Sequence, residues 1–159
     1  MENEELKQEE NLEEMPKKEE KKKKVNKKEE LEKYLAEENI ADSFTFLGYQ
    51  TNPYKYVSKC DLFVCSSFAE GFSTAATESL IVGTPVVTTE VSGMKEMLGD
   101  NNEWGIVTDN NEEALYKGIK KLLDDKNLLA HYKEKAAERG KTFSTENTVS
   151  AVQEMLNTL

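Results

Sequence analysis

Cysteine is nearly missing from this chain, and its scarcity excludes a disulfide-stapled scaffold. Cys60 and Cys65 are the only two, and they do not form a Cys-x-x-Cys pair. One sits at the start and one inside an apolar run, so both read as reduced thiols in or near a core. Histidine occurs once, as His131 within a polar helical pattern, and reads as a surface residue rather than a ligand or base. Cationic excess is missing too. With 21 Lys and Arg against 31 Asp and Glu, the net charge is −10, which argues against nucleic acid or an anionic membrane surface as a partner. No run approaches the roughly 20 apolar residues of a membrane span, and no early stretch has the apolar segment of a signal peptide. Together these absences point to the cytoplasm.

What is present divides by composition. Residues 1–27 are Glu, Lys, Asn and Gln with hardly an apolar side chain, and Lys21–Lys24 is a like-charge block. Such a segment buries too little to offset ordering entropy, so we expect a disordered tail or a frayed helix supported by Glu–Lys pairs. Residues 28–159 are long enough for one domain with a core. Helix is expected over Lys28–Ile40, with Leu31, Tyr34, Leu35 and Ile40 inward. Phe44–Tyr49 reads as a strand. Asn52-Pro53 opens a short helix, Asn as cap and Pro as first helical residue. Asp61–Cys65 is a continuous apolar strand of the kind found in a sheet covered on both faces. A helix at about Ser73–Val82 ends at Gly83, and Pro85–Thr89 is the next strand. A short helix over Val91–Leu98, a strand over Trp104–Thr108, amphipathic helices over Asn110–Leu123 and Lys126–Lys141, and a last helix within Thr142–Leu159 complete the pattern. Strands alternating with helices imply an α/β fold with a Rossmann-like parallel sheet flanked by helices.

The stretch from Ser66 to Leu80 is where chemistry concentrates. A strand that ends in a turn and opens a helix gathers unpaired backbone N–H groups at one spot, which favours negative charge and ligand oxygens. Glu70 lies just before that helix and Glu78 about one turn inside it. Carboxylates accept from hydroxyls while N–H groups donate to phosphates, so the pair suits a ligand carrying both. On spacing alone, a Glu near a helix start more often complements the helix dipole than binds a ligand.

The motif Glu70-x7-Glu78 resembles the E-x7-E signature of retaining glycosyltransferases of the GT-B type, family 4. Its flanks resemble that family as well: Asp61-Leu62-Phe63-Val64-Cys65-Ser66-Ser67 before it, Gly83-Thr84-Pro85-Val86-Val87 after it, then Ser92-Gly93-Met94-Lys95-Glu96 and Gly105-Ile106-Val107. The ordered set spans residues 45 to about 143. The resemblance implies part of a GT-B C-terminal, nucleotide-sugar-binding domain. A full Rossmann half has strand order 3-2-1-4-5-6. By motif, Phe44–Tyr49, Asp61–Cys65, Pro85–Thr89 and Trp104–Thr108 match strands 3, 4, 5 and 6, about four strands in all. Nothing upstream matches strands 1 and 2, the acceptor-binding half, or the Arg–Lys pair that meets the donor diphosphate in the family. Open apolar edges invite association, so a missing N-terminal half or self-association is an expected partner.

The resemblance further implies transfer of a sugar from a UDP- or GDP-linked donor to an acceptor hydroxyl, with retention and without a metal or cofactor, in polysaccharide or glycolipid synthesis. No Asp-x-Asp occurs in the chain. Carried over by position, Glu70 would be catalytic, contacting the donor sugar and stabilising positive charge on the reacting ring. Glu78 would accept from the ribose hydroxyls. Gly71, Phe72 and Ser73 would present backbone N–H groups to sugar and phosphate, Thr74 would reach a phosphate, and Ser67 would shape the loop. Gly83-Thr84-Pro85 is expected to form a turn, Glu96 to accept from loop amides, and Trp104 to pack rather than to platform a sugar. The alternative is a non-catalytic, truncated domain that acts by association.

Overall fold

A computed structural model describes residues 27–157. The expected charged tail lies outside the described residues except for Lys27. The described chain forms two compact units, one ending at Gly48 and the other beginning at Tyr49.

In the first unit, α1 spans Lys27–Glu37. Exposed i,i+4 pairs, Lys28–Glu32 at 3.3 Å and Lys33–Glu37 at 3.6 Å, line it, each contributing a few tenths of a kcal/mol on the order of isolated-helix values. Asn39, at φ 57°, ends it. The amides of Asn39 and Ile40 bond back to the carbonyls of Ala36 and Leu35, so two of the helix's orphan carbonyls are satisfied. Of the expected inward residues only Leu35 is buried; Leu31, Tyr34 and Ile40 are exposed.

The expected strand over Phe44–Tyr49 is corrected. Phe44 is extended, but the segment joins no ladder among the described residues. Gly48 turns the chain at φ +61°, a conformation no strand holds. In the order 3-2-1-4 a third strand pairs only with the second, which the described residues do not supply. Among the described residues the sheet therefore has three strands, not four.

The second unit holds that sheet: β1 (Phe63–Cys65), β2 (Val86–Thr89) and β3 (Ile106–Thr108). They run parallel in the order β1-β2-β3, with Phe63 opposite Val86 and Val87 opposite Ile106. Pro85 precedes β2, where its missing N–H costs no ladder bond, and its carbonyl accepts from the Phe63 amide at 2.8 Å. All four β2 side chains are buried, as a central strand covered on both faces requires. Successive residues point to opposite faces. Val86 packs with Cys65, Ala76, Leu80, Met94, Met97, Leu98 and Ala136. Val87 packs with Ile106 and Leu122, flanked by Leu115, Ile119, Leu128, Leu129 and Tyr132.

The first face is covered by α3 (Thr74–Ile81), α4 (Met94–Leu98) and part of α6 (Lys126–Lys141). The second lies under α5 (Glu112–Asp124) and the other part of α6. A short α2 (Tyr54–Val57) precedes β1, and α7 (Thr145–Asn157) closes the described chain. The α5 and α6 faces are those the 3.6-residue period predicts. Their caps are Asn111 and Asp125, whose side chains accept from Ala114 N at 2.9 Å and from Leu128 N at 3.0 Å. Pro53 takes helical angles ahead of α2 as expected, but Asn52 makes no cap bond; the cap position falls on Pro53 itself. Gly83 follows α3 at φ +77°, and the buried Thr84 hydroxyl donates to the Val57 carbonyl at 2.8 Å, so Gly83-Thr84-Pro85 does shape the turn. Cys65 is buried, but Cys60 is exposed and its thiol donates to the Tyr56 carbonyl; the expectation of a near-core Cys60 is corrected. It lies after α2 and before β1, outside both faces of the sheet.

Two substitutions test this packing. A Cβ on Gly140 would stand 2.2 Å from the Leu80 carbonyl oxygen and 2.8 Å from Ile81 Cα, and backbone on the α3 side cannot rotate away. Gly140→Ala should cost roughly 1–3 kcal/mol as overpacking, read as a lower urea midpoint with an unchanged m value. Thr84→Val keeps the volume but removes one of the two donors to the Val57 carbonyl, which then keeps only the Cys60 amide at 3.0 Å. We expect a loss of about 1 kcal/mol in the same measurement.

Candidate functional site

Three parallel strands end on the same side, and the loops that follow them meet there. Ligands of open α/β sheets bind in the crevice beyond such strand ends. The loop after β1, residues 66–73, leads into α3. It is tied down by side chains from the two neighbouring strand ends. Thr89 Oγ1, at the end of β2, donates to the Ser67 carbonyl at 2.6 Å. Asn110 Nδ2, after β3, donates to the Phe68 carbonyl at 3.3 Å. Gly93, at φ +77°, lies close enough that a Cβ there would stand 3.3 Å from the Phe72 ring and 3.5 Å from the Gly71 carbonyl.

Ser73 caps α3. It is buried, its backbone is extended, and its hydroxyl accepts from the Ala76 amide at 3.4 Å. Its carbonyl takes the Thr77 amide at 3.1 Å. Among the described residues, the amides of Gly71, Phe72, Thr74 and Ala75 have no acceptor. These four residues are exposed, so unpaired donors stand open to solvent at the positive end of a helix.

Both acidic residues of the motif flank this end. Glu70 precedes the helix by four residues, and one of its carboxylate oxygens accepts from the Ser67 hydroxyl at 2.6 Å. The Cys65 thiol lies 3.6 Å behind that hydroxyl. Glu78 is the fifth residue of α3, on the same face as Thr74, and side chains of a helix lean towards its N-terminus. Glu78 Oε1 accepts from the Tyr54 hydroxyl at 2.9 Å. That bond, then the negative charge of Glu78, then burial hold the Tyr54 pKa above its ordinary 10.0. The phenol therefore stays a donor throughout the neutral range. Ser67, Glu70, Gly71, Phe72, Ser73 and Thr74 thus lie along one turn, with Glu78 one turn inside the helix.

Two clefts border the loop. One, of about 380 Å³, is lined by Glu90, Val91, Ser92, Gly93, Lys95 and Glu96. Lys95 pairs with Glu90 at 2.7 Å there, and that bond raises the lysine's pKa. The other, of about 270 Å³, lies between Ser66, Phe68, Thr89, Asn110 and Leu115. The Glu96 carboxylate is exposed and accepts from no loop amide among the described residues, which corrects its expected role. Its backbone carbonyl instead accepts from Arg139 Nη2 at 2.8 Å, while Nε donates to the Met97 carbonyl at 2.9 Å. The Arg139 guanidinium stacks 4.3 Å over Trp104, so Trp104 packs, as expected. His131 is exposed on α6, edge-on to Tyr132 at 5.5 Å.

Sequence reasoning missed Tyr54, Thr89 and Asn110. Tyr54 lies 24 residues before its carboxylate, and no local pattern marks such a contact. Thr89 closes an apolar strand, where a hydroxyl reads as strand propensity rather than as an anchor.

A family model described as glycosyl transferases group 1 matches residues 8–139. A curated relative from Campylobacter jejuni, N-acetylgalactosamine-N,N'-diacetylbacillosaminyl-diphospho-undecaprenol 4-alpha-N-acetylgalactosaminyltransferase, is 40% identical over 111 residues. That match covers 69% of this chain but only 30% of the relative's length. Among solved structures, Alr3699/HepE of Anabaena in complex with UDP is similar at a TM-score of 0.73 and 23% identity, over 82% of this chain and 36% of that one. The C-terminal domain of a glycosyl transferase group 1 family protein, LpcC of Francisella tularensis, is similar at 0.65 and 21% identity, over 75% and 63%. These structures share the fold, an α/β sheet of the GT-B type. A matched segment of 132 of the 159 residues, counted from 8 to 139, leaves one assignment: the chain belongs to the glycosyl transferases group 1 family.

Proposed function

We propose that this chain is the donor-binding portion of a retaining, metal-independent glycosyltransferase that takes a UDP- or GDP-linked sugar at the mouth of α3. The observation that carries the reading is the convergence there of open amides with the Glu70 and Glu78 carboxylates. Glu78 accepts from the ribose diol; two carboxylate oxygens suit two vicinal hydroxyls. The amides of Gly71, Phe72, Thr74 and Ala75 meet the diphosphate, which needs fixed donors because negative charge grows on it as the sugar leaves. Gly71 lets the backbone come close, and the Ser73 cap holds the helix end open. Glu70 bonds the donor sugar and offsets positive charge on the reacting ring, with Ser67 fixing its rotamer. No cofactor takes part.

The acceptor, in this reading, is a saccharide hydroxyl in polysaccharide or glycolipid assembly in the cytoplasm. It is bound by an acceptor half beyond these residues, which also brings the cations that meet the diphosphate. That half, or a second copy of the chain, pairs with the outer edge of β1. The only strand beside β1 among the described residues is β2, and Val64 is 40% exposed in the middle of it.

Calorimetry with UDP, GDP and their sugars tests the donor site. We expect binding in which Glu78→Ala weakens affinity roughly tenfold to a hundredfold, the loss of one to two charge-assisted hydrogen bonds. Binding by neither nucleotide would sink the reading. Light scattering tests the edge: pairing with a second copy predicts a dimer mass, and a monomer at high concentration leaves only the acceptor half to cover β1.

A further inference from the structure

The helix that carries Tyr54 is held at both of its own ends. This helix, α2, is short, but Pro53 fixes its first turn, and the Pro53 carbonyl accepts from the Tyr56 and Val57 amides at 2.9 and 3.2 Å. The other end is pinned by the buried Thr84 hydroxyl on the Val57 carbonyl at 2.8 Å. Thr84 stands in the turn that closes α3, so the end of the helix carrying Tyr54 is tied to the end of the helix carrying Glu78. From that frame the phenol donates to Glu78 Oε1 at 2.9 Å. Glutamate has three rotatable side-chain bonds, and an exposed carboxylate without such a tether samples many positions.

We propose that Tyr54 is a positioning residue for nucleotide ribose: its hydroxyl fixes the Glu78 carboxylate with one oxygen partly occupied and its remaining lone pairs turned to a vicinal diol. This rests on the reading of Glu78 as the ribose acceptor. A carboxylate offers about four lone-pair sites. One taken by Tyr54 leaves enough for two ribose hydroxyls, so the phenol and the diol bind together and do not compete. Pre-setting the rotamer removes an ordering cost from binding. It also selects ligands: a nucleotide lacking the diol gains nothing from an oriented Glu78.

The test is calorimetry on the full chain with the nucleoside diphosphate it binds, UDP or GDP, and with the 2′,3′-dideoxy form of the same nucleotide. Tyr54→Phe keeps the ring and removes only the hydroxyl. We expect it to weaken the ribonucleotide roughly three- to tenfold and to leave the dideoxy nucleotide unchanged. Glu78→Ala should weaken the ribonucleotide further, and Tyr54→Phe added to it should do nothing more. Equal weakening of both nucleotides means that Tyr54 only supports the fold, and overturns the proposal. Unchanged or tighter ribonucleotide binding by Tyr54→Phe, with Glu78→Ala still impaired, overturns it and spares the donor-site reading. If Glu78→Ala binds like the unsubstituted chain, the Glu78 assignment fails and this proposal with it.

Discussion

The parallel pairing of β1, β2 and β3 is the constraint on which the site depends. Parallel neighbours put their carboxyl ends on one side, so the loops after Cys65, Thr89 and Thr108 must meet. That arrangement holds only while β2 is covered on both faces, because its row of Val86, Val87, Thr88 and Thr89 has no side fit for water. Cover comes from two apolar sets of different make-up. The Leu80, Met94, Met97 and Leu98 set lies under the helices that carry the site. The Leu122 set lies under α5 and α6 and includes Val87 and Ile106 of the strands that lead into those loops. Gly140 lets α6, which contributes to both sets, approach the Leu80 backbone.

Given the converging ends, the loop between β1 and α3 is fixed by few bonds, each from a side chain at a neighbouring strand end. Thr89 holds Ser67 and Asn110 holds Phe68. Both bonds use loop carbonyls as acceptors. The loop's amides stay unspent, so anchoring the loop and keeping donors open at the helix mouth do not conflict. Ser73 adds to this. Its side chain takes only the Ala76 amide, which leaves Thr74 and Ala75 open.

The elements whose signal is local were legible. The α5 and α6 faces follow a 3.6-residue period, Gly83 marks the end of α3, and Pro85 marks the entry to β2. The order of motifs around Glu70 and Glu78 identified the family before any coordinates. What failed was non-local. Phe44–Tyr49 has strand composition, but a strand is defined by its neighbour, and composition says nothing of whether one is there. Leu31, Tyr34 and Ile40 have the period of a buried face, yet only Leu35 is buried. Glu96 and Arg139 show the same limit. An acidic residue near loop amides reads as their acceptor, but the acceptors that mattered were the carbonyls of Glu96 and Met97, met by an arginine more than 40 residues later.

The two carboxylates share a feature that composition alone would count against them. A chain of net charge −10 repels a nucleoside diphosphate at long range, and two of the acids behind that charge stand beside the site. Each, however, already accepts from a hydroxyl, Ser67 for Glu70 and Tyr54 for Glu78. Those bonds direct the free oxygens without cancelling the charge, and hydroxyl groups of a sugar or ribose are donors that anionic oxygens bind more strongly than neutral ones. In the donor site proposed above, the diphosphate is met within this chain by backbone dipoles, whose strength acts within a turn of the helix end and does not depend on the sign of the surface. Hydroxyls to carboxylates and phosphates to amides is a division of labour that a lysine-rich pocket could not make, because lysine donates to both and accepts from neither.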